Sequence, residues 1–300
     1  MTEYSALNQN IAAGRGIIAA LDQSGGSTPA ALKAYGYQGD EWADDDAMFG
    51  LVHDMRVRII TSPAFNGDKV MGAILFEKTM DGEADGKPVP EALLDRGVVP
   101  FLKIDKGLED EADGVKLMKP NPGLDALLER ARAKGIYGTK MRSVIDRASP
   151  SGIAAVVRQQ FEVANQILDH GLMPIVEPEV SIKSADRAQS DDILLVELLN
   201  ALDALPEGRQ VMLKLSLPVT PNLFKPLVDH LKVLKVVALS GGFSRDEACV
   251  ELAKNDGVVA SFSRALLEGL RHDMTDEVFN ATLGRSIDRI YKASFACADA

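Results

Sequence analysis

The chain has 300 residues, 46% of them hydrophobic, with a formal charge of -11 and a pI near 4.9. That length suits two ordinary domains or one α/β barrel, and no break in composition favours two. The acidic balance disfavours general binding to nucleic acid or an anionic membrane, because the mean field repels polyanions, whereas a small phosphorylated substrate answers to a local site. The N-terminal residues lack a basic segment followed by an apolar run, and no stretch approaches a membrane-spanning length, so neither a secretory signal nor a membrane span is expected. Cys249 and Cys297 show no CxxC spacing and read as reduced thiols of a cytoplasmic protein. His53, His170, His230 and His272 stand singly without HxxxH or HExxH spacing, so no metal site is expected.

In chain order, short β-rich apolar runs alternate with longer amphipathic segments, the pattern of βα units around a parallel sheet. The expected strands are 16–22, 70–76, 98–105, 138–145, 172–180, 210–217, 236–242 and 257–263. Helical patterns lie at 44–60, 124–134, 151–170, 190–205, 221–234, 244–255 and 264–271, and a last helix at about 276–296 leads to a short tail. Segments 81–90 and 107–123, rich in Gly, Pro and acid, read as exposed connections, and the acids of 40–46 as a helix start.

Eight strands with eight following helices suggest an α/β chain folded as a single (β/α)₈ TIM barrel over residues 1–300, although an open doubly wound sheet shows a similar pattern. The polar residues at strand ends favour the barrel. Asp22, Lys103, Asp105, Lys140, Arg142, Glu177, Glu179, Lys214, Ser240 and Arg264 sit within or just after seven of the eight runs, and only a barrel brings those ends to one mouth.

Lys214 is the sole charge in QVMLKLSL, a run that reads as a buried strand. A lysine so placed is either paired with a buried carboxylate or deprived of its charge by desolvation, and a neutral amine is a nucleophile. Lys140 could reinforce the second outcome by like-charge repulsion. Glu177 could protonate a departing carbinolamine hydroxyl, and Glu177 or Asp22 could take a hydroxyl proton when a carbon–carbon bond breaks. Lys140 and Arg142 alternate with Met141 and so share one face. Phosphate could bind at Ser240-Gly241-Gly242, a glycine turn before a helix, together with Arg264. Ser24 and Ser27, flanking two glycines after the first strand, could hold a second phosphate with Lys103.

The segments GIIAALDQSGGS, GAILFEKT, VPFLKIDKG, GTKMRSVI, MPIVEPEV, VMLKLSLP, LSGGFSRDEA and SFSRAL, in that order from residue 16 to 266, resemble class I fructose-bisphosphate aldolase of the bacterial type. The resemblance implies a glycolytic and gluconeogenic lyase that cleaves fructose 1,6-bisphosphate through a Schiff base on Lys214, with no metal or other cofactor. Glu177 would act as acid and base with Asp22, and Lys140 and Glu179 would tune the lysine. It further implies that Lys103, Ser24, Ser27 and Arg142 hold the distal phosphate, and Ser240, Gly241, Gly242 and Arg264 that of the dihydroxyacetone half. Departures from the animal pattern are Lys214-Leu215-Ser216 for KPN, Met141 for Trp, and Gln23 for Glu. The C-terminal tyrosine that protonates the enamine in animal enzymes is also missing, the last tyrosine here being Tyr291. Other readings are a Schiff-base barrel for another keto substrate, such as a transaldolase or monophosphate aldolase, and a barrel kept as a scaffold without turnover. A homo-oligomer is left open by apolar patches on outer helices.

Overall fold

The computed structural model describes residues 3–24, 28–39 and 41–296. Eight parallel strands, β1 (Ile17–Leu21), β2 (Val70–Leu75), β3 (Val99–Lys103), β4 (Gly138–Ile145), β5 (Met173–Val180), β6 (Val211–Ser216), β7 (Val233–Leu239) and β8 (Val258–Ala260), pair in sequence order. The seam between the last and the first is bridged by the Ala20 amide donating to the Phe262 carbonyl at 3.2 Å, so the sheet is a nearly closed TIM-like barrel rather than an open one. The expected strands all form, most within a residue or two of their anticipated ends.

Side-chain alternation along these strands builds two cores. Residues of one phase, among them Leu21, Ala73, Leu102, Met141, Val176 and Leu213, face the helices, and those of the other, among them Ile18, Ala20, Ile74, Phe101, Ile175, Met212 and Val237, fill the barrel. Ile11, on the helix Glu3–Ala13, packs with the inner set and covers the barrel's N-terminal end. Phe101 fits the bottom layer because its neighbours have no side chains: a Cβ on Gly72 or Gly138 would stand 3.0 or 2.9 Å from its ring.

Helix starts agree with their chemistry. Asp44 caps the helix Asp45–Thr61 by accepting from the Ala47 amide, Ser149 caps Pro150–Asp169, and Ser244 with Glu247 forms a capping box on Arg245–Leu252. Four segments differ from expectation. The helix expected over 264–271 spans only Arg264–Leu267, and the connection 81–90 contains the antiparallel pair Glu83–Ala84 with Lys87–Pro88 and the start of the helix Val89–Leu94. The helix expected over 221–234 is reduced to Lys225–Val228, because the chain turns at Asn222 in the left-handed region and again after the helix, where the Val233 amide bonds to the His230 carbonyl and β7 starts. The connection 107–123 is not simply exposed: Val115–Lys116 pairs antiparallel with the end of β4, and Val115 and Met118 are buried.

Gly138→Ala would set its Cβ 2.3 Å from the Met173 carbonyl oxygen of the neighbouring strand as well as against Phe101. Overpacking of this kind costs about 1–3 kcal/mol. Urea unfolding should show a lower midpoint with an unchanged slope.

Candidate active site

The inner phase of the strands continues upward into polar residues. Two steps beyond Ala20, Phe101, Gly138, Ile175 and Met212 come Asp22, Lys103, Lys140, Glu177 and Lys214, so the register that buries an apolar layer necessarily stacks a charged one above it. Asp22, Lys140, Glu177 and Lys214 are all buried.

Glu177 stands at the centre. One carboxylate oxygen lies 3.1 Å from Lys214 Nζ and the other 2.9 Å from Lys140 Nζ. Lys140 Nζ also meets Asp22 at 2.7 Å, and Asp105 at 3.9 Å. Burial alone would raise the Asp22 pKa, but Lys140 and then Lys214 overcome it and hold the carboxyl well below the usual range. Burial would likewise strip Lys140 of its proton, and the carboxylates of Asp22, Glu177 and Asp105 reverse this, holding it well above the ordinary lysine value. Asp22 is therefore an anion and Lys140 a cation at neutral pH.

Outer groups fix the strand ends. Gln160 Nε2 donates to the Glu177 carbonyl at 3.1 Å, and Ser216 Oγ, two residues beyond Lys214, donates to the Val180 carbonyl at 2.7 Å. The turn after β6 is held by Asp191, a wholly buried carboxyl that accepts from the Val219 amide at 3.0 Å.

At one side of the mouth Lys103 Nζ donates to Ser24 Oγ at 3.1 Å and pairs with Asp105 at 2.8 Å. At the other, Ser240-Gly241-Gly242 turns sharply: both glycines have positive φ, +60° and +119°, and the Phe243 amide bonds to the Ser240 carbonyl. Arg264 lies against this turn, 3.6 Å from where a Gly242 Cβ would stand. Glu179 is paired with Arg142 at 3.0 Å, and no contact joins it to Lys214 among the described residues. Ser27 and Cys297 lie outside the described residues. Asp105, expected at the mouth but given no role there, joins the cluster because the two-residue step from Lys103 keeps both on the inner phase.

Among the described residues no group of three or more His, Cys, Asp or Glu side chains is placed to hold a metal, and no helix is long and apolar enough to cross a membrane.

The barrel thus holds two buried lysines that share one carboxylate in its throat. Residues 3–217 match the family model described as fructose-bisphosphate aldolase class-I. The fructose-bisphosphate aldolase class 1 of Synechocystis sp. is 55% identical over 280 residues, 93% of either chain. Among solved structures, fructose-bisphosphate aldolase of Plasmodium falciparum, in complex with TRAP and a small-molecule inhibitor, is similar with a TM-score of 0.77 at 19% identity, over 98% of this chain and 94% of that one. A Corynebacterium glutamicum protein follows with a TM-score of 0.56 at 14% identity, over 99% and 94%. These two likenesses speak to fold alone. The chain belongs to the class I fructose-bisphosphate aldolase family, whose members are lyases.

Burial pushes the Asp191 carboxyl up from 3.8 to about 6, the Val219 amide and Arg187 failing to offset it. A raised carboxyl pKa favours the folded state while protonated, so its contribution is fully present below 3.8 and is lost as pH rises through about 6. Thermal unfolding of Asp191→Asn should therefore gain on the unsubstituted protein between pH 4 and pH 6 and hold a constant difference above that.

Proposed function

We propose that the enzyme cleaves fructose 1,6-bisphosphate reversibly into dihydroxyacetone phosphate and glyceraldehyde 3-phosphate through an imine on Lys214, without a metal ion. The observation that carries this reading is the Glu177 carboxylate shared by Lys214 and Lys140 in a buried throat. An amine attacks only when uncharged, and Glu177 is within reach to take the Lys214 proton. The amine adds to the C2 carbonyl of the ketose. Glu177, now an acid, returns its proton to the carbinolamine hydroxyl, which leaves as water.

The iminium so formed accepts electrons from the C3–C4 bond. Asp22, held as an anion by its lysine neighbours, takes the C4 hydroxyl proton; the C3–C4 pair moves towards the iminium, giving an enamine and releasing glyceraldehyde 3-phosphate. Protonation at C3 and hydrolysis by the reverse of imine formation free the second product. Lys140 stays charged throughout, in contact with both carboxylates, and keeps Asp22 an anion.

The phosphates are assigned from the family resemblance. Ser240, the Gly241 and Gly242 amides and Arg264 take the C1 phosphate, while Lys103, Ser24, Ser27 and Arg142 take the C6 phosphate, Arg142 turning from Glu179 to do so. Residues 1–300 form one catalytic domain in this reading, acting in glycolysis and gluconeogenesis in the cytoplasm.

Borohydride in the presence of dihydroxyacetone phosphate should leave a reduced three-carbon adduct on Lys214, located by peptide mass mapping, and Lys214→Met should abolish it. An adduct elsewhere, or none, would overturn the mechanism. Activity should survive excess EDTA. Lys103→Ala should raise KM for fructose 1,6-bisphosphate and leave KM for fructose 1-phosphate almost unchanged; equal effects on both would remove Lys103 from the C6 phosphate site.

A further inference from the structure

Between Asp22 and Ser24, whose side chains meet Lys140 and Lys103, Gln23 turns the other way. Its amide nitrogen donates to Ser263 Oγ at 2.5 Å and to the Ala20 carbonyl at 3.4 Å. Its backbone carbonyl accepts from Arg56 Nη2, which also lies 3.4 Å from the Gln23 side-chain oxygen. Arg56 Nη1 donates to Thr79 Oγ1 at 2.7 Å, in the short helix Glu77–Met80 that follows β2.

Arg56 is the largest wholly enclosed side chain among the described residues. Among those residues no carboxylate is in ion-pair contact with it, and burial draws its pKa down to about 10 against the pull of Asp22. Enclosing a guanidinium without a paired anion is costly, and an apolar residue at this place on the helix would serve packing better. What the guanidinium supplies instead is a rigid fork with one arm on the short helix that follows β2 and the other on the residue after Asp22.

We propose that Arg56 is a positioning residue for carbon–carbon cleavage: through the Gln23 carbonyl it fixes the end of β1 so that the Asp22 carboxylate meets the substrate C4 hydroxyl. Gln23 extends the constraint to Ser263, tying β1 to β8 beside Arg264 where the barrel closes. The inference rests on the reading of Asp22 as the base in the step after imine formation. Imine formation itself involves Lys214 and Glu177, which Arg56 does not touch, so the two steps separate experimentally.

The test compares Arg56→Met, Ser263→Ala and the double variant for kcat and KM with fructose 1,6-bisphosphate and for borohydride trapping with dihydroxyacetone phosphate. Loss of alignment predicts a fall in kcat of about 10- to 100-fold in Arg56→Met, with KM within about threefold and the trapped fraction within about twofold. The Ser263→Ala loss is smaller, and the double variant loses less than the product of the two because both act through Gln23. A kcat for Arg56→Met within twofold of the unsubstituted enzyme, parallel loss of trapping and cleavage, or losses that simply multiply would overturn the proposal. If Arg56→Met does not fold, Arg56→Lys decides: it keeps the charge and loses the fork, so reduced cleavage with preserved trapping supports the positioning role, and any other pattern overturns it. No adduct in the unsubstituted enzyme would overturn the imine reading itself, and this proposal with it.

Discussion

The structure depends on one carboxylate kept between two ammonium-bearing side chains where water does not reach. Without Glu177, Lys140 and Lys214 would be two cations in an apolar throat, and the penalty for enclosing them would fall on the fold. With it, and with Asp22 and Asp105 on the far side of Lys140, the charges interleave. The arrangement satisfies its own electrostatics before any substrate arrives, and a polar site in a dry enclosure gains strength from the same low dielectric that makes it expensive.

That layer is delivered by strand register. Each of the five strands from which it rises carries an apolar or glycine residue two positions below its charged one, and the lower layer is solid: Phe101 sits in space that Gly72 and Gly138 leave for it. A one-residue slip in any of these strands would send the charged side chain into the helix layer and an apolar one into the throat. Fold and site are therefore specified by the same alternation, and the outer bonds from Gln160, Ser216 and Asp191 hold the strand ends where the site begins.

This explains what could be read from sequence. Strands announced themselves through apolar runs, and the polar residues ending those runs had to converge once the sheet closed, so Asp22, Lys140, Glu177 and Lys214 could be grouped without coordinates. Partners within the group were less legible. Glu179 follows Glu177 on the inner phase and was expected beside the lysine, yet it pairs with Arg142, because the step that separates them along β5 lifts it towards the rim. The segment 221–234 has the apolar content of a helix, but a left-handed Asn222 and an early β7 shorten it, and such tertiary demands leave no local periodicity. Arg56 did leave a trace: Met48, Val52, Met55 and Ile59 mark the buried stripe of its helix, and Arg56, four residues after Val52, falls on that stripe.

The overall charge of -11 and the proposed doubly phosphorylated substrate are compatible once distance is considered. Charges on the outer helices are separated from the mouth by solvent, and at physiological ionic strength their influence decays over about 8 Å. The mouth itself carries Lys103, Arg142 and Arg264, and the glycines at 241 and 242 allow the backbone to adopt a turn that side chains would obstruct. Lys103 and Arg142 are each engaged by a carboxylate, Asp105 and Glu179. In the proposed reaction an incoming phosphate would have to outcompete those partners, and the acids around the mouth would then act as placeholders that keep the cations ordered in the free enzyme and weaken the grip on any ligand with less charge than a phosphate.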